Sequence, residues 1–311
     1  MQETETIEII EVNHTEELLA RRASMIVFLG VVCWSLNAPL VKYISLDPLL
    51  IAGLRALIAG IALLPFLRPS KLTFSKWTAA YMLSYVGLCV SIVVALKSVA
   101  APIAIGMQYT GMLWLFIIAV IEGRKRISLY SLTPMLLIFM GVVFFMLSGI
   151  GGSISLLGLV LVICEGICFA GVTGFSQKVT GDNPLGLTAL ANLVTMAFVF
   201  GCLSPQFADL ASLGAKDWGL MLFLGIFQVG TGYALYNIGL KHIEPYKASV
   251  IAPWEMILGP LWVVLFLHEY PTTLVLIGFA IMLLGMFLEP QLSKREDKKT
   301  VQKRKNQTNL A

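Results

Sequence analysis

The chain has 311 residues, of which 58% are hydrophobic and only 13% charged, with a mean hydropathy of +0.84. A soluble domain carries about 45–50% apolar and 25% charged residues, so this composition excludes a soluble globular protein and points to an all-α integral membrane protein. The net charge of +4 does not describe a nucleic-acid-binding face, because seven of the 22 Lys and Arg lie between Lys294 and Lys305, in the C-terminal tail.

About 20 apolar residues span a bilayer as a helix. Ten such runs follow one another, at roughly 24–45, 48–67, 77–98, 102–121, 129–149, 154–177, 184–203, 218–240, 246–267 and 272–289. The first 20 residues are acidic and polar and do not read as a cleavable signal. Positive charge sets the orientation. With the N-terminus inside, eighteen Lys and Arg fall on the inner side, and Lys42, Lys97 and Lys216 on the outer side. Both termini are therefore expected in the cytoplasm, which makes the glycosylation sequons at Asn13 and Asn306 chance matches. The five cysteines, Cys33, Cys89, Cys164, Cys168 and Cys202, sit inside apolar runs and read as small apolar filler.

The two halves of the chain shadow each other. At an offset of 136, Lys42, Asp47, Pro48, Leu49, Leu54 and Leu57 fall on Lys178, Asn183, Pro184, Leu185, Leu190 and Leu193. Trp77 falls on Trp218 at 141, Lys97 on Lys241 at 144, and Gln108 and Glu122 on Glu255 and Glu269 at 147. Each half holds five spans, an odd number, so the second must cross the membrane upside down relative to the first. The expected architecture is ten transmembrane helices in a 5+5 inverted-topology repeat. Residues 1–23 form a cytoplasmic tail, 24–149 the first repeat, 154–289 the second and 290–311 a basic tail. Inverted repeats characterise transporters that hold substrate between the halves.

Polar groups inside spans cost free energy and face a cavity or one another. At about 1.5 Å per residue, Arg55 lies roughly 10 Å and Gln108 roughly 9 Å from the outer surface. Asn37 reaches the same level, and Glu165 and Glu255 lie nearer the midplane. Glu255 sits between Pro253 and Pro260, and each proline frees a carbonyl four residues earlier, at Ser249 and Met256. Gly230, Tyr233, Asn237 and Lys241 form one polar stripe, which serves either the cavity or helix packing. Candidate substrate-binding residues are Asn37, Arg55, Gln108, Glu165, Tyr233, Asn237 and Glu255. Trp34 and Tyr109 offer aromatic surface, whereas Glu122 and Glu269 end their helices and read as structural.

The chain resembles the drug/metabolite transporter superfamily, EamA-type, across residues 24 to 289. The resemblance rests on Trp34-Ser-Leu-Asn37 with Lys42, on Arg55, on Ala95-Leu96, on Glu122 followed by basic residues, on Gly141, and on Pro253, Glu255, Glu269 and Gly285. It implies ten helices, a central cavity and export or exchange of small metabolites. The chain departs from the family pattern where Glu255 is followed by Met256 rather than by proline.

These readings converge on a secondary transporter of the cytoplasmic membrane, exporting small polar metabolites such as amino acids by alternating access. A channel or a non-transporting sensor of the same fold is the alternative. An intramembrane enzyme is not expected: no aspartate lies mid-span, the histidines are only His14, His242 and His268, and neither HExxH nor a phosphate-binding loop occurs. No cofactor or metal is implied. The expected partners are a small-molecule substrate and the lipid bilayer, with no nucleic acid, the protein acting as monomer or homodimer.

Overall fold

The computed structural model describes residues 19, 21–72, 74–123, 125, 127–148, 155–179, 183–203, 205–240 and 251–308. Among them there is no strand. Nine helices are long and apolar enough to cross a membrane: α1 (Arg21–Tyr43), α2 (Pro48–Phe66), α3 (Lys76–Ser98), α4 (Ala101–Ile121), α5 (Leu129–Ser148), α6 (Leu156–Ser176), α7 (Pro184–Leu203), α8 (Ala215–Gly239) and, last in the chain, α10 (Thr273–Glu296). Between α8 and α10 lies the shorter apolar helix α9 (Trp254–Leu267). Together they make ten apolar helices. The first part of the ninth expected span, with Ser249 and the lysines Lys241 and Lys247, lies outside the described residues.

Helix starts follow local chemistry. Asp47 caps α2 by accepting from the Leu50 amide at 2.9 Å, with Pro48 in the first turn. Its counterpart Asn183 caps α7 by accepting from the Gly186 amide at 3.0 Å, with Pro184 in the first turn. The duplicated sequence therefore builds the same helix start twice. The last apolar run ends at 289, yet the final helix continues as Thr273–Thr308 through Pro290. The residues beyond it are rich in Lys, Arg, Glu and Gln, which favour helix.

The helices pack across the two halves. α2 packs on α7, α3 on α6, α4 on α9 and α5 on α10, while α1 lies against α8. Advancing every helix by five positions maps α2–α7, α4–α9 and α5–α10 onto themselves and exchanges α1–α8 with α3–α6, as a pseudo-twofold relation requires. Small residues allow the close approach. A Cβ on Gly30 would lie 2.8 Å from the Gly232 carbonyl, and one on Gly141 2.7 Å from the Gly278 carbonyl.

Contacts at the helix ends identify the two faces. At one face Lys42, in the last turn of α1, bonds Glu269, after α9. At the opposite face Lys125 pairs with Glu289 at 2.8 Å, and the Asn183 amide donates to the carbonyl of Phe66 at 3.2 Å. Lys42 and its counterpart Lys178 thus lie at opposite faces, the mark of an inverted repeat. Around the circumference Leu83, Leu129, Leu156, Leu157, Phe266 and Leu276 are exposed. In water such apolar area would drive association, and in a bilayer it is the lipid-facing surface.

Candidate functional site

A polar cavity lies between the halves. α1 contributes Trp34 and Asn37, α2 Arg55, α3 Cys89, α4 Gln108, α6 Phe169, α8 Gln228 and Tyr233, and α9 Glu255. Four of these helices are irregular where they reach it. α1 turns at Leu36, whose amide bonds the Cys33 carbonyl. α4 is interrupted at Tyr109–Thr110, whose amides reach back to Gly106 and Met107. α8 passes through a π-helical stretch at Leu224–Thr231. α9 begins after the turn at Ala252–Pro253. Irregular backbone at membrane depth is tolerated only where protein or a cavity satisfies it. Here the Tyr109 hydroxyl does so, donating to the Ala252 carbonyl at 2.8 Å.

The charges are held by neutral groups. Arg55 Nη1 donates to Asn37 Oδ1 and Nη2 to the Cys89 carbonyl, both at 2.9 Å. Among the described residues no carboxylate pairs with this guanidinium. Glu255 Oε2 lies 2.7 Å from the Tyr109 hydroxyl, whose one proton is shared between it and the Ala252 carbonyl, and accepts from Gln108 at 3.2 Å. No hydrogen bond or ion pair joins the two clusters, so Arg55 is not spent on an ion pair with a described carboxylate.

Several polar atoms at or beside the cavity have no hydrogen-bond partner among the described residues. Trp34 Nε1 and Gln228 Oε1, both of lining residues, are buried and unbonded. So are both carboxyl oxygens of Glu165, whose residue is 0% exposed. Glu165 is one turn before the lining residue Phe169 and is within electrostatic reach of Arg55 and Glu255. Burying a polar group without a partner costs about 1–3 kcal/mol, and a charge costs more.

Five of the seven candidates therefore line the cavity: Asn37, Arg55, Gln108, Tyr233 and Glu255. Glu165 lies beside it and is not among its lining residues. Asn237 is farther off, donating to Thr188 Oγ1 at 3.0 Å, which ties α8 to α7. Of the residues taken as aromatic surface, Trp34 lines the cavity, its ring packed at a tilt against Tyr233 and Tyr236 with centroids 4.6 and 4.5 Å away. Gln228 escaped the sequence reading. The one signal for it was a lone amide inside an apolar run. Glu269, read as structural, binds Lys42.

Fold and site together define a multi-pass helical membrane protein with a polar, partly unsatisfied chamber between its halves. The chain belongs to the EamA-like transporter family, which matches it twice, over residues 21–147 and 156–288. It is 25% identical over 303 residues to the uncharacterized transporter YvbV of Bacillus subtilis (strain 168), covering 89% of this chain and 93% of that one. It also shares its fold with a protein of known crystal structure, with a TM-score of 0.63 and 18% identity over 88% of this chain and 98% of the other. The protein is a membrane transporter of this family.

Proposed function

We propose that the protein is a secondary transporter exporting small zwitterionic metabolites, amino acids or close relatives, across the cytoplasmic membrane by alternating access, with both termini in the cytoplasm. The observation that carries this reading is that, among the described residues, the guanidinium lining the chamber has no carboxylate partner and the Glu165 carboxyl beside the chamber has no hydrogen-bond partner. Arg55 and the Trp34 indole N–H would receive a carboxylate. Gln228 Oε1 and the carboxyl of Glu165 or Glu255 would receive an ammonium. The chamber has a volume of about 30 Å³ as swept by the centre of a water molecule, room for about two waters. Substrate entry therefore requires the helices around it to part, and Phe169, on the same face of α6 as Glu165, is the side chain whose movement would join Glu165 to the chamber.

The test is counterflow in proteoliposomes preloaded with an amino-acid mixture. Saturable, trans-stimulated exchange of a labelled amino acid is expected. Uptake that neither saturates nor responds to internal substrate would make the protein a channel, and thermal-shift binding with no flux a sensor. Arg55→Lys, which cannot bond Asn37 and the Cys89 carbonyl with a planar fork, should raise KM about tenfold or more.

A further inference from the structure

The duplicated sequence sets the same three side chains at both faces of the molecule, and the structure pairs them differently. In the first half Lys42 ends α1, Trp77 opens α3 and Glu122 follows α4. In the second half their counterparts are Lys178, Trp218 and Glu269, at offsets of 136, 141 and 147. Because the halves are inverted, each face receives a lysine from one half and a tryptophan and a glutamate from the other. One face has Lys42 with Trp218 and Glu269. The opposite face has Lys178 with Trp77 and Glu122.

At the first face the ammonium of Lys42 sits on the carboxylate of Glu269, at 2.9 and 2.8 Å from its two oxygens. Trp218 there is 40% exposed. At the opposite face Lys178 takes the other kind of partner, its ammonium lying 3.6 Å from the centroid of Trp77. One lysine is on the acid and its twin is on the ring.

We propose that each lysine is a two-position latch, bound to glutamate when its face is closed and to tryptophan when its face is open, and that the two latches move in antiphase. The inference rests on the transporter reading. In this structure the Lys42 face, the outer one in the proposed orientation, holds the glutamate pairing, and the Lys178 face holds the tryptophan pairing. An interfacial ion pair and a cation–π contact are of comparable strength, so a lysine passes between them at little net cost. That balance is what a bistable element needs, since neither state should trap the protein. The pairs also join the two halves, so a lysine changing partner changes how the halves meet at that face. The rival account is static: Lys178 snorkels along an interfacial tryptophan and Lys42 makes a fixed ion pair.

The distinguishing measurement is amide hydrogen exchange of the full chain in lipid nanodiscs without substrate. It compares peptides spanning 42–48 and 267–273 at the first face with those spanning 66–76 and 121–129 at the other. Glu269→Gln, which removes the closed-state partner of Lys42 and leaves Trp218 in place, should speed exchange at its own face relative to the opposite face by about fivefold, the population change expected from loss of one interaction. Trp77→Leu, which removes the open-state seat of Lys178, should act in the same direction from the other side of the membrane. The exchanged pair Lys42→Glu with Glu269→Lys, which restores the closed-state pair, should return the first face to slow exchange, and the melting temperature of each single variant checks that it folds. Effects confined to the substituted face overturn the proposal. Counterflow by the wild type is measured separately. Antiphase exchange without flux would remove the transport reading and leave the latch, whereas flux without antiphase exchange would remove the latch alone.

Discussion

Glu165 costs the fold free energy that a leucine in its place would not. The carboxyl is fully buried with both oxygens unbonded, and replacing such a group by an apolar one of similar size is commonly neutral or stabilising. Glu165→Leu is therefore expected to raise the melting temperature by about 2–4 °C, from a gain of about 1 kcal/mol, while abolishing counterflow. A melting temperature that falls by a similar amount would mean that the carboxyl is structural. Tyr109 makes the opposite case. Its hydroxyl closes both the open turn at Ala252 and the Glu255 carboxyl, so Tyr109→Phe should lower stability by about 1–3 kcal/mol, read as a drop in melting temperature with expression retained. Not every such role was visible in the residues alone. Arg55, Gln108 and Glu255 announce themselves because a charge or amide in an apolar run has few explanations. Asn237 announces itself in the same way and yet serves packing, because residue type does not say which neighbour a helix face meets.

At the scale of the helix, periodicity passed over one lining residue, Gln228. At about 100° per residue, Gln228 and Tyr233 would stand about 140° apart on a regular α-helix, so the polar stripe traced from Gly230 leaves Gln228 out. The π-helical stretch Leu224–Thr231 widens the turn and brings both to the chamber. Nothing in the sequence but its glycines, Gly225 and Gly230, marks that stretch. The helix count, by contrast, was legible throughout, since span length is imposed by the bilayer and not by tertiary context. Close packing between helices is also partly legible, because glycine recurs where backbones meet. Gly141→Ala sets a Cβ 2.7 Å from the Gly278 carbonyl and 2.8 Å from the Met282 Cβ. It should separate α5 from α10 and lower the melting temperature measurably. Gly201→Ala, with nothing within 4 Å of the added Cβ, should be neutral or stabilising. A Gly141 variant that melts like wild type would show that α5 and α10 can slide apart freely.

For the molecule as a whole, the duplication explains why so much could be read in advance and where reading had to stop. Matching residues such as Asp47 and Asn183, each capping a proline-started helix, reveal two copies of one unit. The odd number of spans per copy then dictates their opposed directions. Which partner Lys42 and Lys178 hold in one conformation is not a property of the sequence, since both partners are encoded for each. Orientation in the membrane has its own test. The final helix, Thr273–Thr308, has 36 residues and spans about 54 Å at 1.5 Å per residue. The hydrocarbon core is only about 30 Å thick, so on the order of 20 Å of helix must project beyond it. This segment carries the seven basic residues between Lys294 and Lys305, and it leaves the bilayer at the face of the Lys125–Glu289 pair. In inside-out membrane vesicles, trypsin should remove a C-terminal epitope tag while the membrane-embedded part stays intact. In right-side-out vesicles the tag should survive. The reverse pattern would turn the transporter over, place the Lys42–Glu269 pair on the cytoplasmic side and exchange the faces assigned to the two lysines without altering their pairing.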